Sequence, residues 1–270
     1  MQYIKLTFLN ISQETSDILV ALLADTGYEG FEEVRGNLLA FIPAPQFSRE
    51  QLDTIANDYN ISYEMETVPA QNWNALWESN FQPVVVDDFC TIRAHFHDIR
   101  VNTPYEIVVT PKMSFGTGHH ATTQLMISMM RELHFSGASV LDFGTGTGVL
   151  AILAEMLGAS HVAAIDNDEW SVENARENLA RNNCSRIKVA EGSLEHAGGQ
   201  YDIILANINR HILLQYMESL FKHIKPNGLL LMSGLLTTDQ DVISQAAGNA
   251  GFRFKQMQER NNWIALLFEK

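Results

Sequence analysis

Ser139-Val-Leu-Asp-Phe-Gly-Thr-Gly-Thr-Gly148 is the stretch that decides the fold. Val140 and Leu141 read as the end of a buried strand. Gly144, Gly146 and Gly148 follow at alternate positions, and Val149-Leu-Ala-Ile-Leu-Ala154 opens a helical pattern. Strand, glycine turn and helix is how a doubly wound α/β sheet offers backbone N–H groups to a ligand. Glycine permits positive φ there and has no Cβ to block a close approach. The stretch predicts a nucleotide-like ligand. Its spacing, Asp142-x-Gly144-x-Gly146-x-Gly148, departs from the G-x-G-x-x-G of dinucleotide folds and disfavours a nicotinamide dehydrogenase. Asp166 ends the next predicted strand, 22 residues beyond Gly144. An acid at that place faces the ribose hydroxyls of a ligand lying over the first glycine turn.

Downstream the pattern alternates. Strands are predicted at 161–166, 186–190, 201–206 and 229–233, with helices at 147–157, 169–182, 210–223 and 239–249. Pro226-Asn227-Gly228 reads as the turn into strand 229–233. Runs 252–258 and 263–268 read as a closing antiparallel hairpin. Six or seven strands with helical crossovers make a largely parallel sheet. Upstream of the decisive stretch, a second glycine-bearing loop, Met113 to Thr123, precedes a helix with Leu125, Met126, Met129, Met130 and Leu133 on its apolar side. Short strands are expected at 84–86, 91–94 and 105–110.

The first 68 residues read differently. Strand 2–9, helix 14–26, strands 28–34 and 38–42 across Arg35-Gly36-Asn37, helix 48–59 capped by Ser48, and strand 61–68 give the order β-α-β-β-α-β. That is a ferredoxin-like α+β unit. Glu29, Glu32 and Glu33 read as a solvated strand face. Residues 69–83 carry Trp73, Leu76 and Trp77 at helical spacing and read as a linker helix that packs on one or both domains. The expected organisation is a 1–68 domain, a 69–83 linker helix and an 84–270 domain.

With 46% hydrophobic and 19% charged residues the chain reads as soluble and globular. No apolar run reaches the roughly 18–20 residues that span a membrane. The N-terminus alternates like a strand and lacks the marks of a signal peptide. Cys90 and Cys184 have neither metal nor redox spacing, which suits free thiols in a reducing cytoplasm. A net charge of −14 argues against nucleic-acid binding and is compatible with a basic protein partner. His119-His120 are adjacent, so their rings point apart, and no third ligand is suitably spaced; no metal site is expected. Glu195 and His196, in the loop after the third sheet strand, read as solvated.

Three stretches carry a family resemblance: Phe115-Gly-Thr-Gly-His-His-Ala-Thr-Thr123, Val140-Leu-Asp-Phe-Gly-Thr-Gly-Thr-Gly148 and Ile204-Leu-Ala-Asn-Ile208. The catalytic core resembles the class I S-adenosylmethionine-dependent methyltransferases, whose fold is a doubly wound, seven-stranded, Rossmann-like sheet. Over essentially the whole chain the sequence is similar to the bacterial methyltransferases of large-subunit ribosomal protein L11. The resemblance implies S-adenosyl-L-methionine as cofactor, with contacts at Thr123, Gly144, Gly146, Asp166 and Asn207, and a catalytic placing role for Asn207. It also implies methyl transfer to lysine side chains or the N-terminal α-amine of a basic ribosomal protein, with residues 1–68 recognising that substrate. A cytoplasmic monomer is expected. Two positions depart from the family loop: His119 stands for a threonine and Ala121 for a proline, which predicts a slightly looser loop. An RNA substrate would call for a basic stripe beside the site, which the sequence lacks. A non-catalytic binding module would call for damage to the glycine turn or Asp166, and both are intact.

Overall fold

A computed structural model describes residues 2–34, 36–68, 81–112 and 114–270. The chain divides into two compact units, 1–80 and 81–270. Most of the linker helix expected over 69–83 lies outside the described residues; Phe81–Pro83 form no regular structure.

In the first unit, β1 (Tyr3–Phe8), α1 (Gln13–Ala24), β2 (Gly30–Val34), β3 (Asn37–Pro43), α2 (Arg49–Asp58) and β4 (Tyr63–Val68) follow the β-α-β-β-α-β order. The sheet order is β2-β3-β1-β4, antiparallel throughout. Alternation along β1 and β3 buries Leu6, Phe8, Leu38 and Ile42 with Leu19 and Leu23 of α1 and Leu52 of α2. Ser12 caps α1 by accepting from the Thr15 N–H, and Ser48 caps α2 by accepting from Gln51. Glu29, Glu32 and Glu33 are exposed.

The second unit opens with β5 (Val84–Val86), β6 (Cys90–Ala94) and β7 (Tyr105–Val109), a three-stranded sheet of its own. Then come α3 (Ala121–Met130), β8 (Ser139–Phe143), α4 (Val149–Met156), β9 (His161–Asp166), α5 (Glu169–Arg181), β10 (Ile187–Glu191), β11 (Tyr201–Asn207), α6 (Arg210–His223), β12 (Ile224–Leu236), α7 (Gln240–Ala250), β13 (Arg253–Arg260) and β14 (Trp263–Glu269). The seven-stranded sheet runs β10-β9-β8-β11-β12-β14-β13. β14 is antiparallel to both neighbours, and the remaining pairs are parallel. Val140 and Leu141 face opposite core layers, so β8 is apolar on both sides as a central parallel strand must be. The chain winds outward from β8 through β9 to β10, then returns to β11 on the other flank. The β8/β11 boundary is therefore the topological switch point, where open α/β sheets bind ligands.

Two departures from expectation are local. The turn at Pro226-Asn227-Gly228 does not begin a strand; it is a bulge inside the longer β12. Tyr201 pairs with Ile224 and Ile203 with Leu229, so extra residues stand opposite β11. Asn227 takes φ 61°, and hydrogen bonds between Asn227, Gly228 and Lys270 hold the bulge. The second departure concerns β7. Its side away from β6 is met by side chains of α5 and its cap, spaced four apart. Asn182 Oδ1 accepts from Val108 N (2.9 Å) while its Nδ2 donates to Val108 O (2.7 Å). Asn178 Oδ1 accepts from Thr110 N (2.7 Å), and Asn174 Nδ2 donates to Thr110 O (3.1 Å). Three amides thus stand in for a neighbouring strand, because an amide both donates and accepts as a peptide group does. Cys90 and Cys184 are free, and burial pushes both thiols up to about 12. Among the described residues no helix is long and apolar enough to cross a membrane.

Candidate active site

A cavity of about 720 Å³ opens at the carboxyl ends of β8, β9 and β11. Its floor is the glycine turn. Gly144 (φ 77°) lies so close to the end of β11 that a Cβ there would fall 2.2 Å from Ile208 Cγ2. A Cβ on Gly146 (φ 54°) would fall 2.3 Å from the carbonyl oxygen of Phe115. Neither position admits another residue without displacing a neighbour, so packing of the turn against Ile208 and Phe115 requires glycine at both.

Asp166, at the end of β9, lines the same cavity. Its carboxylate accepts from the backbone N–H of Gly146 (2.8 Å) and of Asp168 (3.1 Å), which ties the acid to the glycine turn. Each oxygen keeps a further lone pair, so a diol can still be held. Asn207, at the end of β11, also lines the cavity and is buried. Its Nδ2 donates to Thr123 Oγ1 (3.4 Å), and its Oδ1 is buried without a partner. Thr123, in the first turn of α3, is 1% exposed and lines a narrow recess with Gly144, Thr145 and Asn207 rather than the large cavity. Gly144, Gly146, Asp166 and Asn207, named from the sequence, therefore line the large cavity, while Thr123 meets Gly144 and Asn207 only at the recess. An unpartnered amide oxygen and a carboxylate with lone pairs to spare, both on a cavity of this size, suit a polar, nucleoside-bearing cofactor, and the site fits one.

Asp142 does not line either space. It is fully buried beneath the turn, accepting from Thr145 Oγ1 (2.6 Å) and Ala151 N (3.2 Å), with Oδ1 unpartnered. Burial pushes its carboxyl up to about 7, against the downward pull of those two hydrogen bonds, and nearby Asp166 adds to the rise. The motif's acid shapes the turn.

Loop 114–120 closes one flank. Thr147, itself buried, donates its N–H to Phe115 O (3.0 Å) and its hydroxyl to Gly116 O (2.8 Å). At the loop's far end His120 caps α3, its Nδ1 accepting from Thr122 N, and its ring meets Trp263 edge-on at 4.6 Å. His119 turns the other way, onto Phe81 at 4.6 Å and the Gln82 carbonyl. With Ala121 in the proline's place, the His120 cap and the Thr147 bonds fix the loop at both ends.

Sequence reasoning missed several lining residues: Trp263, Gly234, and His211 and Tyr216 of α6. Trp263 reaches the cavity only through the β14 pairing. Gly234 had a signal, a lone glycine inside an apolar strand: a Cβ there would lie 2.3 Å from Ile208 O. Glu195 and His196 do not line the cavity, whereas Gly192 and Ser193 just before them do. Among the described residues Asp166 is the only acid that lines it, and no lysine or arginine joins it.

A seven-stranded sheet of this order, with a glycine turn, an acid at the end of the neighbouring strand and a cavity at the switch point, makes the chain a class I S-adenosylmethionine-dependent methyltransferase. Residues 14–270 match the family described as Ribosomal protein L11 methyltransferase (PrmA), and the chain belongs to that family. It is 40% identical over 278 aligned residues to the ribosomal protein L11 methyltransferase of Phocaeicola vulgatus, covering 99% of both chains. The protein of the same name from Chlorobaculum tepidum is 35% identical over 99% of this chain and 96% of its own length. Among solved structures, the ribosomal protein L11 methylase of Lactobacillus delbrueckii subsp. bulgaricus superposes with a TM-score of 0.65 at 30% identity, over 70% of this chain and 98% of that one.

Proposed function

We propose that this chain transfers methyl groups from S-adenosyl-L-methionine to amino groups, lysine ε-amines or the N-terminal α-amine, of large-subunit ribosomal protein L11. In this reading Gly144, Gly146, Asp166, Thr123 and Asn207 hold the cofactor, and the 1–68 domain recognises the substrate protein in the cytoplasm. When bound, the cofactor supplies an electrophilic methyl group on a sulfonium. The chain's own task is then positioning.

The observation that carries the reading is the unpartnered Oδ1 of Asn207 beside the glycine turn. A nucleophilic amine needs its lone pair free and its N–H groups held. At pH 7 a lysine is about 3.4 pH units below its ordinary pKa, roughly 4.6 kcal/mol from the neutral form, and an α-amine only about 1 kcal/mol. Desolvation lowers both costs. Carbonyl and amide oxygens of Asn207-Ile208-Asn209 can accept N–H bonds from such an amine without recharging it. Asn207 then orients the amine and the cofactor together, and no strong base is required of the protein.

The test is incubation with isotopically labelled S-adenosylmethionine and separated ribosomal proteins and rRNA. Label in protein L11 is expected, and label in RNA alone would overturn the reading. Asn207→Ala should cut methyl transfer by about 100-fold, on the scale of a lost transition-state contact, while its melting temperature stays near that of the parent. Normal turnover in that variant would remove Asn207 from the proposed role.

A further inference from the structure

We propose that Thr147 is a positioning residue for cofactor binding: its hydroxyl locks loop 114–120 onto the glycine turn, while Asn178 fixes Thr147 against the strand from which that loop departs. The inference rests on the cofactor reading above, and deepens it.

Three facts carry it. First, two successive loop carbonyls end on one residue, Phe115 O on Thr147 N and Gly116 O on Thr147 Oγ1. Second, the third polar group of Thr147 is also engaged: its carbonyl accepts from Asn178 Nδ2 (2.8 Å), and Asn178 Oδ1 accepts from Thr110 N (2.7 Å). Asn178 is fully buried, so its amide spans from the end of β7 to the glycine turn inside the core. Third, the fit admits nothing between loop and turn. A Cβ on Gly116 would lie 2.8 Å from Thr147 Oγ1, and Gly116 holds φ 105°.

The consequence is reached through the loop. Thr147 does not line the large cavity, but Phe115 and His120 at either end of the loop do. Gly146, its neighbour in sequence, donates to Asp166. Thr147 therefore ties the start of the loop to the turn that also holds Asp166, its N–H fixing Phe115 and its hydroxyl fixing Gly116. Loop 114–120 pairs with no strand, and without this tie its conformational freedom would have to be lost on each binding event.

The experiment uses the full chain and two substitutions of similar size, Thr147→Val and Thr147→Ser, with S-adenosylmethionine and S-adenosylhomocysteine as titrants in calorimetry. Thr147→Val should weaken both ligands roughly tenfold, the effect of one lost buried hydrogen bond, and Thr147→Ser should remain within about twofold. Hydrogen exchange of the unliganded protein should quicken in 114–120 in the valine variant and stay unchanged in β8 and β11. Unaltered affinity in Thr147→Val would overturn the proposal. So would a serine variant as weak as the valine one, because a hydroxyl at this position would then not suffice to keep the affinity. Wild-type binding is the control for the cofactor itself, and it stands or fails before the variants are compared.

Discussion

Asp142 illustrates how one buried residue can make folding stability dependent on pH. Its carboxyl is fully buried and pushed up to about 7, chiefly by desolvation. An unfolded chain releases that proton near the ordinary carboxylate value of about 3.9. The folded chain therefore binds more protons between those limits. The contribution of Asp142 to stability is fully present below about pH 4, declines as pH rises towards 7, and is lost above that. The amide introduced by Asp142→Asn would keep one oxygen for Thr145 and Ala151 and place an NH₂ where Oδ1 has no partner. Denaturant unfolding at several pH values should show this slope flattened in the variant, and an unchanged slope would discount Asp142 as its source. At this scale the sequence was informative about chemistry and less so about direction. Asp166 read as a site acid from its place at the end of a strand and lines the cavity, whereas Asp142, read only as part of the glycine motif, does not. Strand alternation places Asp142 under the turn, a matter of three-dimensional packing that the motif alone does not encode.

Among elements, α5 has the least expected task. Its periodicity announces a helix, and Asn174, Asn178 and Asn182 read simply as polar positions four apart. Their role depends on β7 lying alongside, more than 60 residues earlier in the chain. No local pattern reveals such a pairing. The same holds for β12, where Pro226-Asn227-Gly228 carries turn chemistry but β11 and Lys270 continue the pairing around it. By contrast the hairpin of β13 and β14 was legible from its two adjacent runs, and Asn261 and Asn262 at its turn adopt positive φ, 53° and 65°. Removing one rung tests the asparagine arrangement. Asn182→Ala takes away the partner of both Val108 backbone groups and should cost about 1–3 kcal/mol in urea unfolding. Faster exchange of the Val108 amide should accompany the loss; a variant as stable as the parent would show that water replaces the amide at no cost.

For the whole molecule, the seven-stranded sheet and the β-α-β-β-α-β unit were both readable from period and order, since each depends on short-range pattern and short connections. The separate β5-β6-β7 sheet was not, because three short strands carry no signal of which sheet they join. Charge is distributed unevenly as well. Residues 1–68 hold eleven acids against three bases, out of a total charge of −14. If the proposed basic substrate meets this unit, attraction should be screened by salt. Raising ionic strength from about 0.05 to 0.3 M, where the Debye length falls to several ångströms, should raise KM for the protein substrate severalfold with little change in kcat. An amine-bearing short peptide that reaches only the active site should show no such dependence.

The asparagines beside β7 have one more consequence, for behaviour at high concentration. A strand bordered on one side only offers its free N–H and C=O groups to any other chain that presents a strand, and this is how native proteins begin to stack into aggregates. Here Asn174, Asn178 and Asn182 occupy those groups at Val108 and Thr110. That edge of the small sheet is covered by a helix of its own molecule, so amides that include Asn178, the partner of Thr147, also deny neighbouring molecules a template there.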